Sequence, residues 1–104
     1  MARTATLLKF TALPGKRDAL VEAFRDEAAQ AEHNAGIELY LVHTAADEPD
    51  AVWLYVAFAS EADEEAYTGG MAGEQAMSRT DPLAPAPPEQ IGLVPQGGKG
   101  VPHR

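Results

Sequence analysis

Apolar and polar side chains alternate along residues 3–12, and this pattern predicts a β-strand. From Lys16 to about Asn34 nearly all residues are good helix formers, and the apolar ones recur at helical spacing. The residues expected to be buried along this helix are Leu20, Phe24, Ala28 and Ala31. The following Asn34-Ala35-Gly36 predicts a left-handed stop at the end of the helix.

Two strongly apolar segments come next, and both are predicted strands. Residues 37–44 place Ile37, Leu39, Leu41 and His43 on one face. The composition of residues 47–50 predicts a turn. Residues 51–59 then direct Trp53, Tyr55 and Ala57 to one side and Val52, Leu54, Val56 and Phe58 to the other. Because both faces of these strands are apolar, we expect them in the middle of a covered sheet.

A second helix is predicted to begin after Ser60, its N-cap, and to run to about Tyr67 or Thr68. Acidic residues stand in its first turn, where the helix dipole favours them. Gly69-Gly70 interrupts the pattern, and residues 71–77 are expected to continue as a further helical piece. A short final strand is predicted over residues 89–94.

The predicted order is β-α-β-β-α-β, which is the ferredoxin-like α+β arrangement with an antiparallel sheet. We expect one domain over residues 1–95 and a Gly-rich tail over residues 96–104. The helices of this fold cover one face of the sheet, and the other face would leave too large an apolar patch in water. We therefore expect two protomers to stack sheet to sheet as a homodimer.

Charge and composition exclude several classes of protein. The net charge of −8, from 16 acidic and 8 basic side chains, argues against binding to nucleic acid or to anionic membranes. The chain has no cysteine, so disulfides and thiol chemistry are excluded. No apolar run approaches the ~20 residues that span a bilayer, and no signal peptide is evident, so a cytoplasmic location is expected. The three histidines lack metal-ligand spacing, and no metal site is expected.

Several short motifs follow one another in a recognisable order. They are Leu13-Pro14-Gly15-Lys16, Asn34-Ala35-Gly36-Ile37-Glu38-Leu39-Tyr40, Asp47-Glu48-Pro49-Asp50, Trp53-Leu54-Tyr55 and Ser60-Glu61-Ala62-Asp63. Their order and spacing over residues 3–95 resemble an antibiotic biosynthesis monooxygenase domain. The resemblance implies a dimeric α+β barrel. Some members of that family oxidise polycyclic phenols, quinols or anthrones with molecular oxygen, without metal or flavin, so no cofactor is expected.

Relatives of this fold also include polyketide cyclases, small-molecule isomerases and haem-degrading oxygenases, and the fold alone does not choose among them. Many relatives carry a histidine near the place of Tyr67 and another in the segment that follows, which here reads Gly69-Gly70-Met71-Ala72-Gly73. The haem-degrading relatives need an asparagine on the first strand and a histidine on the second helix. This sequence has neither, so haem degradation is not expected.

Cofactor-free oxygenation requires an apolar pocket, a base or hydrogen-bond acceptor for the phenol, and a donor for the developing oxyanion. Tyr67 and His43 are the candidate catalytic residues, the first as a hydrogen-bonding hydroxyl and the second as a base near neutral pH. Each also has a structural interpretation. Tyr67 can simply pack its ring on the sheet, and His43 can pair with a carboxylate of the neighbouring turn.

The candidate substrate-binding residues are Trp53, Tyr55, Met71 and Arg79. Trp53 can stack on a polycyclic substrate, or it can belong to the core or the dimer interface, and Tyr55 shares its face. Arg79 can anchor a phenolate, or it can be a solvated surface residue. The predicted function is a cofactor-independent monooxygenase that acts on an aromatic polyketide, anthrone or quinol-like molecule and O₂. A cyclase, an isomerase or a non-catalytic ligand-binding dimer on the same fold remain as alternatives.

Overall fold

The computed structural model describes residues 3–70 and 77–99, and within these ranges a four-stranded antiparallel sheet carries two helices on one face. The elements are β1 (Thr4–Thr11), α1 (Arg17–Ala31), β2 (Ile37–Ala45), β3 (Glu48–Phe58), α2 (Glu61–Thr68) and β4 (Glu89–Leu93). The strand order is β2-β3-β1-β4. This confirms the predicted ferredoxin-like α+β fold. The division into residues 1–95 and a tail of 96–104 stays a prediction.

The core lies between the helices and the side of the sheet that faces them. Its most buried large side chains are Leu20 of α1 and Val52 and Phe58 of β3, none of them more than 1% exposed. Val52, Leu54, Val56 and Phe58 of β3 all lie on this side, and the sequence had predicted that these four share one face. Among the described residues, no helix combines the length and the apolar character needed to cross a membrane.

The hairpin between β2 and β3 is tighter than the composition suggested. Ala45 pairs with Glu48, which leaves a turn of two residues, 46 and 47. The prediction of a turn through Asp50 was therefore wrong, because residues 48–50 already belong to β3. Pro49 is tolerated there because β3 pairs with β1 only from Ala51 onward.

A β-bulge interrupts the start of β2. Ile37 pairs with Phe58 and Leu39 with Ala57, so two steps along β2 match one step along β3. The bulge turns Ile37 toward the core, and the prediction that it shares a face with Leu39 was wrong. The extra residue, Glu38, forms an ion pair with Arg3 at 2.7 Å.

The end of α1 also differs from the prediction. The helix ends at Ala31, and the cap residue Glu32 keeps a right-handed conformation. Among the described residues, positive φ angles occur at Gly15, Gly97 and Gly98, so Gly36 provides no left-handed stop. Gly36 is required for a different reason, since a Cβ at this position would lie 2.7 Å from the carboxylate of Asp63 at the start of α2.

We expect Gly36→Ala to lower the free energy of unfolding by about 1–2 kcal/mol. The added methyl would displace Asp63, whose carboxylate accepts a hydrogen bond from the Ser60 hydroxyl at 2.8 Å in the N-cap of α2. Urea denaturation measures the change. Gly92→Ala in β4 is the matched control, because a Cβ there meets nothing within 4 Å. Equal stability of both variants would contradict the close approach at Gly36.

Candidate functional site

A cavity of about 480 Å³ lies between the helix-facing side of the sheet and the segment of residues 77–88. Its size is within the range of about 300–1,000 Å³ that is typical of small-molecule sites. The sheet contributes an apolar floor, and the segment forms a wall to which three of its four prolines contribute. Lining residues on the floor and helices include Leu8, Phe10, Phe24, Leu54, Val56 and Phe58, and those on the wall include Met77, Ala84, Pro85, Pro87 and Pro88.

Tyr67 lines this cavity from α2. It stands one to two turns after the N-cap Ser60, on the side of the short helix that faces the sheet. Its ring packs against Phe58, with 6.0 Å between the ring centroids. Its hydroxyl donates a hydrogen bond to Oε2 of Glu27, 3.2 Å away. The candidate catalytic tyrosine is thus held at the cavity wall by contacts to both the sheet and α1.

Glu27 is a buried acid that the sequence analysis did not identify. It is 4% exposed and lies on the same stripe of α1 as Leu20, Phe24 and Ala31. The guanidinium of Arg79 forms an ion pair with its Oε1. A buried carboxylate needs such partners, because desolvation without them is costly. The available signal was a charged residue at a position where the helical spacing demands an apolar one.

Arg79 was predicted to bind the substrate, and the structure places it against Glu27 instead of on the cavity lining. Its side chain is 39% exposed, and it approaches Glu27 from the helical residues 77–80. The pair therefore joins the wall of the cavity to α1. Among the lining residues that the structure describes, neither Glu27 nor Arg79 occurs. They stand behind Tyr67, where they can act on its hydroxyl.

Tyr40 of β2 provides a second hydroxyl at the cavity. Burial raises the pKa of Tyr40, and the neighbouring phenol of Tyr67 raises it further. Burial also raises the pKa of Tyr67, although the hydrogen bond from Tyr40 acts in the opposite direction. Both phenols are therefore neutral at physiological pH. From the sequence, Tyr40 was predicted to lie on a strand, without a functional role.

A second pair of polar side chains, Gln90 and Thr6, lies on the other side of the cavity floor. Nε2 of Gln90 donates to Oγ1 of Thr6 across 3.3 Å, and both residues line the cavity. Tyr40, Val56 and Thr6 form one row across β2, β3 and β1. Thr6 is therefore two strands from Tyr40, or about 10 Å at the usual strand spacing. The cavity has polar groups at two sides and an apolar floor between them.

The other candidate residues lie on the opposite face of the sheet. His43 pairs with Trp53, and Tyr55 pairs with Leu7 and Leu41. Alternation along a strand directs these side chains away from Leu54 and Val56, which line the cavity. The structure therefore does not bring His43, Trp53 or Tyr55 together with Tyr67. Met71 lies outside the described residues. Within those residues, no group of three or more histidines and acids is arranged to hold a metal ion.

Comparisons with known proteins agree with the fold. The sequence model of the family described as antibiotic biosynthesis monooxygenase matches residues 5–78. A protein of Chloroflexus aurantiacus J-10-fl, provisionally named as such a monooxygenase, is 28% identical, with a TM-score of 0.83 over 97% of this chain and 100% of the other. Among curated proteins, none matches the sequence.

Two more solved structures show the same fold at lower identity. A Nitrosomonas europaea protein of unknown function is 22% identical, with a TM-score of 0.83 over 100% of this chain and 98% of its own. A Mycobacterium tuberculosis protein is 17% identical, with a TM-score of 0.82 over 95% of this chain and 100% of its own. At these identities the likeness extends to the fold alone.

Proposed function

The chain belongs to the antibiotic biosynthesis monooxygenase family, and from that premise we propose that it oxidises a hydroxylated aromatic ring system with O₂, without a cofactor. The observation that carries the proposal is the apolar cavity with the hydroxyls of Tyr67 and Tyr40 on its wall and the carboxylate of Glu27 behind them. A mostly apolar cavity with a few convergent polar groups is the usual form of a small-molecule site.

The cavity supports a flat substrate of two or three rings. Its apolar floor suits an aromatic face, and its polar sides are about 10 Å apart at the spacing of two strands. One end of the substrate would place a hydroxyl against Tyr67. The other end would reach Gln90 and Thr6, which can bind a second oxygen.

Tyr67 is the proposed proton acceptor for the substrate hydroxyl. As that proton moves onto the tyrosine oxygen, the proton of Tyr67 moves to Glu27 along the existing hydrogen bond. The resulting oxyanion makes the ring electron-rich enough to give electrons to O₂. For an anthrone, the methylene carbon loses two hydrogens and gains one oxygen atom as a carbonyl, and the other oxygen atom leaves as water. The substrate supplies all the electrons.

Oxygen uptake tests this function directly. The protein is incubated aerobically with a panel of anthrones and hydroquinones, against protein-free samples that measure autoxidation. We expect accelerated uptake of one O₂ for each molecule of substrate, with a quinone as the product. No acceleration across the panel would overturn the proposal. Conversion that continues without O₂ would indicate a cyclase or an isomerase instead.

The uncovered face of the sheet is the proposed dimer interface. It presents Leu41 at 44% exposure and Ile91 at 53%, beside Trp53 and Tyr55. Leu41, Tyr55, Leu7 and Ile91 form one row across all four strands, and such a row is a larger apolar patch than monomers usually leave in water. A second copy of the chain stacked on this face would bury them. Trp53 and Tyr55 would then serve the interface, on the far side of the sheet from the cavity.

Leu41→Asp is expected to convert the dimer into a monomer, because the carboxylate would be buried against the partner without a counter-charge. Sedimentation velocity at micromolar concentration measures the change. Leu13→Asp is the matched control, since Leu13 is similarly exposed, at 42%, but follows β1 outside the strand. A monomeric wild-type protein, or a dimer that survives Leu41→Asp, would contradict this interface.

A further inference from the structure

The Tyr67 hydroxyl donates its hydrogen to the carboxylate of Glu27. An ionised carboxylate accepts hydrogen bonds and donates none. Oε1 of Glu27 is taken by the Arg79 guanidinium, and its Oε2 receives the hydroxyl of Tyr67 at 3.2 Å. The carboxylate is 4% exposed, so water does not compete freely for either oxygen. The tyrosine therefore has only the lone pairs of its oxygen to offer elsewhere.

Tyr40 is the second phenol on the cavity lining, together with Tyr67. Burial raises the pKa of both phenols, and each keeps its proton at neutral pH. The site therefore holds two neutral phenols, and the contact with Glu27 fixes the direction in which the Tyr67 hydroxyl donates.

We propose that the Glu27–Arg79 pair sets Tyr67 as a hydrogen-bond acceptor, so that the cavity selects ligands which donate there. The favoured class is phenols and hydroquinols, and the disfavoured class is the ketones, quinones and ethers of the same ring systems. A ligand that brings an acceptor to Tyr67 places two oxygens with lone pairs against each other. Glu27 is in this sense a positioning residue, which acts on the ligand through Tyr67.

One consequence rests on the proposed function. Oxidation of a hydroxyl-bearing ring to a quinone replaces the donor at Tyr67 by a carbonyl oxygen. The substrate and the product then differ at the atom that the site recognises, and the product is bound more weakly. The same hydrogen-bond polarity would thus favour binding of the reduced form and release of the oxidised one.

Binding of naphthol and of its methyl ether tests the proposal without any turnover. The two ligands share a ring system and an oxygen, but only naphthol can donate a hydrogen bond. Isothermal titration calorimetry of the whole protein should show about tenfold tighter binding of naphthol, the usual cost of leaving one such partner unmet. Equal affinities, tighter binding of the ether, or no binding of either ligand would overturn the proposal.

Glu27→Gln is the most informative variant, because Arg79 fixes the orientation of the new amide group. The guanidinium must face the amide oxygen, which turns the amide nitrogen toward Tyr67. Tyr67 then accepts a hydrogen bond from the glutamine and can direct its own hydrogen into the cavity. We expect the preference for naphthol to disappear and binding of the ether to strengthen several-fold. An unchanged preference in a folded variant would overturn the proposal.

Two further variants complete the experiment. Glu22→Gln makes the same chemical change at an exposed position of α1, where the side chain pairs with Arg25, and should keep the tenfold preference. Tyr67→Phe removes the acceptor with little change in shape, and should lose the preference even if Glu27→Gln fails to fold. A folded Tyr67→Phe protein that still prefers naphthol would overturn the proposal.

The outcomes separate this inference from the proposed function. Naphthol is used only as a ligand, so a Glu27-dependent preference supports the inference even if the oxygen-uptake experiment fails. Conversely, oxidation of quinols by a protein that binds naphthol and its ether equally would support the function and overturn the inference.

Discussion

The Tyr67→Phe variant is expected to turn over its substrate about a hundredfold more slowly, because the substrate loses the group that accepts its proton. The ring keeps its contact with Phe58, with centroids 6.0 Å apart, so the cavity keeps its shape. The hydroxyl alone is removed, together with its hydrogen bond to Glu27. The effect should therefore fall mainly on kcat, with a smaller rise in the KM, because a hydroxylated substrate also loses its hydrogen bond to Tyr67.

Oxygen uptake or quinone absorbance measures both constants once a substrate has been found. Tyr55→Phe is the matched variant on the opposite face of the sheet, and its kcat should match that of the wild type. Unchanged kcat in Tyr67→Phe would remove the tyrosine from the proposed mechanism. A comparable loss in Tyr55→Phe would show that the sequence prediction of Tyr55 as a substrate contact was right.

Arg79→Met is expected to destabilise the protein by about 2–3 kcal/mol, since it leaves the buried carboxylate of Glu27 without its counter-charge. Breaking a fully buried ion pair costs ~3–5 kcal/mol of stability. We expect a smaller loss here, because the Arg79 side chain is 39% exposed while that of Glu27 is 4% exposed. Domains of this size are stable by about 5–15 kcal/mol, so the variant should remain folded with a clearly lower urea midpoint.

Arg25→Met provides the matched control. Arg25 pairs with Glu22 on the surface of α1, where the side chains are 68% and 67% exposed, and its loss should cost less than about 0.5 kcal/mol. The double variant Glu27→Gln with Arg79→Met should be more stable than Arg79→Met alone, because no buried charge remains. Equal destabilisation by Arg79→Met and Arg25→Met would contradict the structural role of the pair.

Much of the fold could be predicted because its signals are local. Alternation along residues 51–58 separated the side chains of β3 into the two sets that the structure shows, and Ser60 marked the start of α2. The errors occurred where a partner strand or helix decides the outcome. The bulge at Glu38 depends on the register with β3, and the requirement for Gly36 depends on Asp63 of another element.

The candidate site divides in the same way. Tyr67 was found from its position on a predicted helix and from the family resemblance. Trp53 and Tyr55 were grouped together correctly, but alternation alone does not say which side of a sheet holds a cavity. That side depends on where α1, α2 and residues 77–88 pack, and these elements cover Leu54 and Val56.

The sequence by itself determined the order of the elements, the two faces of β3 and the family to which the chain belongs, because periodicity and short motifs are properties of neighbouring residues. Only the tertiary structure decided that Tyr67 meets Glu27, which lies 40 positions away, and that Arg79 completes the pair. On α1 the spacing marks Glu27 as an acid on a buried stripe. The partners that stabilise the buried Glu27, Arg79 and Tyr67, belong to other parts of the chain, and only long-range packing brings them to it.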